Sequence, residues 1–171
     1  MRTLLLKRLV QGPLTEPAPA PDEAALAELA ARVDRAARRR LGRSLSIREV
    51  DAGSCNGCEL EIHALNNILY DLERFGLRFV ASPRHADVLL VTGPVTRNMR
   101  EALSRTYAAT PDPKWVVAVG DCARDGGLFA PSAACVGGVS QVVPVDLHIA
   151  GCPPTPHALL TGLLALLEIC R

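Results

Sequence analysis

Asp87–Thr92 and Trp115–Gly120 are apolar at almost every position, and segments of helical periodicity stand on either side of them. A strand that shows one face to water alternates apolar with polar residues. A strand that is apolar throughout must be covered on both faces, which is the situation of parallel strands joined by helical crossovers. The chain from residue 44 onward fits that scheme. Ser46–Val50, Leu77–Ala81, Val142–Val145 and Leu147–Ile149 read as further extended segments, and Glu59–Phe75, Arg97–Ala109 and Thr155–Ile169 read as helices. The expected class is α/β, a mostly parallel sheet with helices on both faces.

The first 43 residues have a different texture. Residues 1–21 are a basic-apolar lead followed by a Pro-rich run from Gly12 to Pro21, expected to be extended with little core of its own. Asp22–Leu41 is rich in Ala, Leu and Arg, with acids at its start and arginines near its end, a distribution that suits the helix dipole; Gly42 is the expected terminator. The organisation read from this is an N-terminal extension and basic helix over 1–43, then one domain over 44–171. The longest mostly apolar stretch, Ala158–Ile169, is short of the ~20 residues that span a bilayer, and the N-terminus lacks the marks of a secretory signal. A soluble, cytoplasmic chain is expected.

Charge is unevenly spread. Residues 1–50 hold ten Lys/Arg against six Asp/Glu, and residues 51–171 hold nine against twelve. Arg35, Arg38, Arg39, Arg40 and Arg43 supply most of the excess. They form either a solvated helix face or a contact for an acidic subunit or lipid headgroups. Nucleic acid is disfavoured, because no aromatic residues interleave the basic run.

Six cysteines stand at 55, 58, 122, 135, 152 and 170. Without a secretory signal, metal or redox chemistry is a better reading of them than a disulfide framework. Cys55 and Cys58 follow the first strand and open a helix. Cys122 follows Trp115–Gly120, and Cys152 follows Leu147–Ile149. Loops at the carboxyl ends of parallel strands share one edge of the sheet, so these four, distant in sequence, are expected to converge. Four thiolates can hold zinc or an iron–sulfur cluster. One close pair plus two remote singletons favours the cluster, since zinc sites of this kind use two tight knuckles. Cys170, in the last helix, reads as a small hydrophobe, and Cys135, away from any expected strand end, is left out. No GxGxxG or GxxxxGK[ST] occurs, so neither a dinucleotide nor a P-loop site is expected.

Four segments carry a resemblance: Ser82–Gly93 (SPRHADVLLVTG), Pro113–Val116 (PKWV), Val143–Asp146 (VPVD) and Gly151–Pro154 (GCPP). Together they resemble the 20 kDa subunit family of respiratory complex I, which is related to the small subunit of NiFe hydrogenases. The likeness covers about residues 44–169. Complex I members carry the first two cluster cysteines side by side. Here Cys55-Asn56-Gly57-Cys58 is separated and followed by Glu59-Leu60-Glu61, which looks like the small subunit of membrane-bound group 4 hydrogenases, as does the lead Leu5-Leu6-Lys7-Arg8 through Thr15-Glu16-Pro17.

That resemblance implies a flavodoxin-like domain holding one 4Fe-4S cluster through Cys55, Cys58, Cys122 and Cys152. It implies electron exchange with a large subunit, whose site is NiFe in hydrogenases and a quinone pocket in complex I. The further partners implied are a ferredoxin-like iron–sulfur subunit and membrane-arm subunits, with the chain peripheral on the inner face of the cell membrane. Taken alone, such a subunit catalyses nothing. Glu61, one helical turn beyond Cys58, is either a solvated first-turn carboxylate or, as its match in complex I relatives implies, a proton-transfer group. Asp121 and Arg84 are candidates to sit just behind the ligands; His63 and His148 read as structural, and His85 and His157 have no assigned role. The alternatives kept open are a complex I-like quinone-reducing subunit without hydrogen chemistry and a zinc-stabilised binding module.

Overall fold

The computed structural model describes residues 23–169. The Pro-rich lead and Cys170 lie outside them. Helix α1 (Glu23–Leu41) leads into β1 (Leu45–Asp51), α2 (Gly57–Ala64), β2 (Leu77–Phe79), β3 (Val88–Thr92), β4 (Val95–Thr96) and α3 (Arg97–Ala109). Then follow β5 (Trp115–Val119), α4 (Asp121–Asp125), β6 (Cys135–Gly137), β7 (Leu147–Ile149) and α5 (Pro156–Ile169). Five strands form one parallel sheet in the order β2-β1-β3-β5-β7. Numbered within the sheet alone this is 2-1-3-4-5, the flavodoxin-like order, with its switch point between β1 and β3.

Period-two alternation divides the core between the two faces. Val88, Leu90, Trp115, Val117 and Val119 face α1, α2 and α5, while Leu89, Val91, Val116 and Ala118 face α3 and α4. Leu159, Leu160 and Leu163 of α5 are fully buried, each contributing on the order of 1.5–3 kcal/mol. Helix α1 joins the same core through Leu29, Ala30, Val33, Ala36 and Ala37. Its end is as expected: Gly42 takes a left-handed φ of 68° and donates to Arg38 O at 3.0 Å. Among the described residues, no helix is long and apolar enough to cross a membrane.

The expected helix over Glu59–Phe75 is broken. α2 stops at Ala64, and only Leu72–Phe75 recovers a short 3-10 turn. Asn67 is the reason: its Oδ1 accepts from Leu69 N at 2.8 Å and Tyr70 N at 3.0 Å, offering the backbone a local turn in place of the helix ladder. Ile68 and Leu69, whose spacing suggested a buried stripe, are instead exposed at 95% and 70%. Val142–Val145 is not a strand either. Its place is set by Asp146, which exchanges hydrogen bonds with Val116 as β7 begins. The antiparallel pair β4–β6 is an addition that the sequence did not reveal.

One buried polar link fastens the start of the sheet. The Asp87 side chain is 5% exposed; it accepts from both arms of the Arg43 guanidinium and from Ser46 N at 2.9 Å. Asp87→Ala leaves a buried N–H without its acceptor, and a loss of about 1–3 kcal/mol in unfolding free energy is expected by chemical denaturation.

Candidate metal centre

Strands β1, β3, β5 and β7 all end at one edge, and the loops leaving β1, β5 and β7 carry four of the five described cysteines. Cys55 lies in the turn after β1, Cys58 in the first turn of α2, Cys122 in the first turn of α4, and Cys152 just after β7. Cys55 and Cys152 are exposed, and Cys58 and Cys122 are half-buried. All four are close enough to feel one another. Burial pushes the Cys58 thiol up to about 12, assisted by Glu59 and by the sulfurs of Cys55, Cys122 and Cys152. Cys122 is raised as well, by burial first and then by Cys152 and Cys55.

The backbone is cut to the same shape. Gly120, at φ 87°, closes β5, and a Cβ there would stand 2.6 Å from Cys58 Sγ and 3.3 Å from Gly151 O. Gly127, at φ 48°, would place a Cβ 2.9 Å from Cys122 Sγ. Side chains are excluded where the sulfurs gather. Asp121 ties two ligand loops together: its N–H donates to Gly151 O at 2.9 Å, and its Oδ1 accepts from Gly151 N at 3.2 Å. It thus stands beside Cys122 and joins that loop to the one that carries Cys152.

Among the described residues, no three His, Cys, Asp or Glu side chains are grouped so as to hold one metal ion. The donor set itself, four thiols of which two form a close pair, suits the chemistry of an iron–sulfur cluster, in which each thiolate binds a different iron. Cys55, Cys58, Cys122 and Cys152 would hold it.

Arg84 departs from expectation. It stands in the turn Pro83–His85 that precedes β3, so it lies at the opposite end of the sheet from the cysteines. His63 faces Glu49, with Nε2 3.5 Å from Oε2, and is not grouped with the thiols. Cys135 pairs with Thr96 in the β4–β6 ribbon. Glu61 is half-buried on α2.

Sequence reasoning missed Glu59. It is only 6% exposed, and neither carboxylate oxygen has a hydrogen-bond partner among the described residues. Glu49, across from it on β1, is raised above its ordinary value, chiefly by burial, with His63 pulling it down and the like charge of Glu59 pushing it further up. The available signal was adjacency: Glu59 follows Cys58 directly, in the first turn of a helix packed on the sheet. Apolar side chains also collect near this edge. Leu60, near Cys58 in sequence, and Leu128 and Phe129, a few residues after Cys122, are exposed at 61%, 86% and 41%.

The fold and this edge define an α/β domain of flavodoxin-like order with a four-cysteine rim at the carboxyl ends of its strands. Residues 55–166 match the family described as NADH ubiquinone oxidoreductase, 20 Kd subunit. The chain belongs to that family. It is similar to formate hydrogenlyase subunit 7 of Escherichia coli (strain K12), 49% identical over 133 residues, covering 76% of this chain and 52% of that one. The chain thus spans about half the length of that relative. The probable membrane-bound hydrogenase subunit mbhJ of Pyrococcus furiosus is 48% identical over 128 residues, covering 75% of this chain and 77% of the relative. Among solved structures, a chain of the membrane-bound sulfane sulfur reductase, an archaeal respiratory membrane complex, superposes with a TM-score of 0.66. It is 37% identical, over 81% of this chain and 75% of that one.

Proposed function

We propose that this chain is an electron-transfer subunit of a membrane-associated hydrogenase complex, holding one 4Fe-4S cluster through Cys55, Cys58, Cys122 and Cys152. The observation that carries this reading is the convergence of those four thiols, from three different strand ends, on one glycine-lined rim. When bound, such a cluster supplies one-electron transfer. The protein's own part is to present the four sulfurs, exclude bulk from between them and lock the loops through Asp121 and Gly151.

The apolar side chains of Leu60, Leu128 and Phe129 support a covering large subunit on this edge, which would shorten the path for electrons into that partner's site. Glu61 is read as a proton-transfer group at the same boundary. A ferredoxin-like iron–sulfur subunit on the donor side and membrane-arm subunits complete the proposed assembly, with this chain peripheral on the cytoplasmic face. The likeness to formate hydrogenlyase subunit 7 and to a probable membrane-bound hydrogenase subunit supports the hydrogenase branch.

A second reading is favoured by one finding: the match at 37% identity to a sulfane sulfur reductase complex. In that case, as in a quinone-reducing relative, the subunit carries electrons without hydrogen chemistry. The partner decides. Metal analysis of the complex purified through this chain is expected to find one nickel in a large subunit with two CxxC pairs, together with hydrogen uptake or evolution. A large subunit without nickel, in an active complex, contradicts the hydrogenase reading and leaves the electron-transfer role standing.

A further inference from the structure

The amino ends of the parallel strands, opposite the thiols, are cationic. Arg43, Arg78, Arg84 and His85, with Ala86 and Pro111, line a cavity of about 240 Å³. Ser46 lies fully buried beside it. Its Oγ accepts from Arg78 Nε at 3.2 Å and from Arg43 Nη1 at 3.5 Å. One hydroxyl therefore holds two guanidinium groups side by side, although like charges repel. Arg84 is brought to the same cavity by a short turn in which Ser82 Oγ accepts from Arg84 N at 3.4 Å.

Asp87 neutralises Arg43 and is fully engaged in doing so. Among the described residues, no carboxylate pairs with Arg78 or Arg84. Three guanidinium groups thus line the cavity with one carboxylate at ion-pair distance, that of Asp87 on Arg43, while Glu73 lies on the far side of Arg78 in the adjoining cavity. Helix α1 brings exposed Arg39 to this end in its last turn, whereas Arg38 beside it is paired with Asp34 at 2.9 Å.

We propose that this cavity binds a phosphate group. A side-chain carboxylate offers two oxygens and is satisfied by one guanidinium fork. A tetrahedral phosphate offers more acceptors in different directions, which is what several arginines around one cavity can use together. Arginine, with its planar fork, is better suited than lysine to that bidentate recognition. The phosphate is either that of an anionic lipid headgroup, placing this end of the sheet against a membrane surface, or that of a soluble ion.

The test uses the full chain, titrated calorimetrically with inorganic phosphate at matched ionic strength and pelleted with phosphatidylglycerol or phosphatidylcholine vesicles. Arg78→Gln/Arg84→Gln is compared with Arg100→Gln/Arg105→Gln, a control of equal charge on exposed positions of α3. Arg84→Gln alone removes no hydrogen bond of the fold and guards against a folding defect. Wild type and control are expected to bind, with the Arg78/Arg84 variant at least about tenfold weaker, as loss of one strong charge-assisted contact or more requires. Pelleting with phosphatidylglycerol that the Arg78/Arg84 variant loses assigns the lipid headgroup; titration with inorganic phosphate alone assigns the soluble ion. Absence of binding in both arms, or equal weakening in the charge-matched control, overturns the proposal.

Discussion

Replacing Cys122 by serine is expected to abolish the electron paramagnetic resonance signal of the reduced cluster or convert it to that of a species lacking one iron, while Cys135→Ser leaves it unchanged. The two residues are thirteen positions apart and equally half-buried, so burial does not separate them. Placement does. Cys122, raised by burial first, also feels Cys152 and Cys55 across the rim, whereas Cys135 is spent in a two-stranded ribbon opposite Thr96. A serine hydroxyl is a harder, far less acidic donor than a thiol, so it is a poor substitute for the soft thiolate that iron–sulfur sites use. Equal loss in both variants would mean that the signal reports general stability.

Gly120→Ala is expected to be nearly as damaging, through sterics instead of ligand chemistry. The added methyl would meet Cys58 Sγ at 2.6 Å, in a backbone conformation with φ at 87° that side chains rarely adopt. The strain alone costs on the order of 1–3 kcal/mol, and the sulfur must move to relieve the contact. Gly42→Ala is the matched control: φ is 68°, but the methyl would meet nothing within 4 Å. Both variants should lose thermal stability, and only Gly120→Ala should lose iron. Retention of full iron by Gly120→Ala would show that the rim tolerates displacement of Cys58.

What could be read from the sequence was whatever depends on long-range order along the chain. β3 and β5 are apolar on both faces, which dictated parallel pairing with cover on each side, and the structure has both. Because strand ends in such a sheet share an edge, the positions of Cys55, Cys58, Cys122 and Cys152 were enough to bring them together. Local competition was harder to foresee. Asn67 ends a helix that the spacing of Ile68, Leu69 and Leu72 would continue, and side-chain to backbone bonds of that kind leave no periodic trace. Strands of two and three residues, such as β4 and β6, carry too few positions to show a period. Arg84 was misplaced because a motif shared with a family gives order in sequence, not the end of the sheet at which a residue lies. Glu59 was overlooked because burial of a first-turn carboxylate depends on what packs over the helix, here β1 with Glu49.

The most direct test is the metal and sulfide content of the purified complex, counted per copy of this chain, with Mössbauer spectra of enriched samples comparing wild type and Cys122→Ser. One cluster bound by this chain predicts that the serine variant loses either one iron, with its sulfide kept, or the iron and acid-labile sulfide of a single 4Fe-4S centre, and that no other centre of the complex changes. A variant that keeps its full iron and sulfide, or a wild-type chain that carries one zinc in their place, would contradict it.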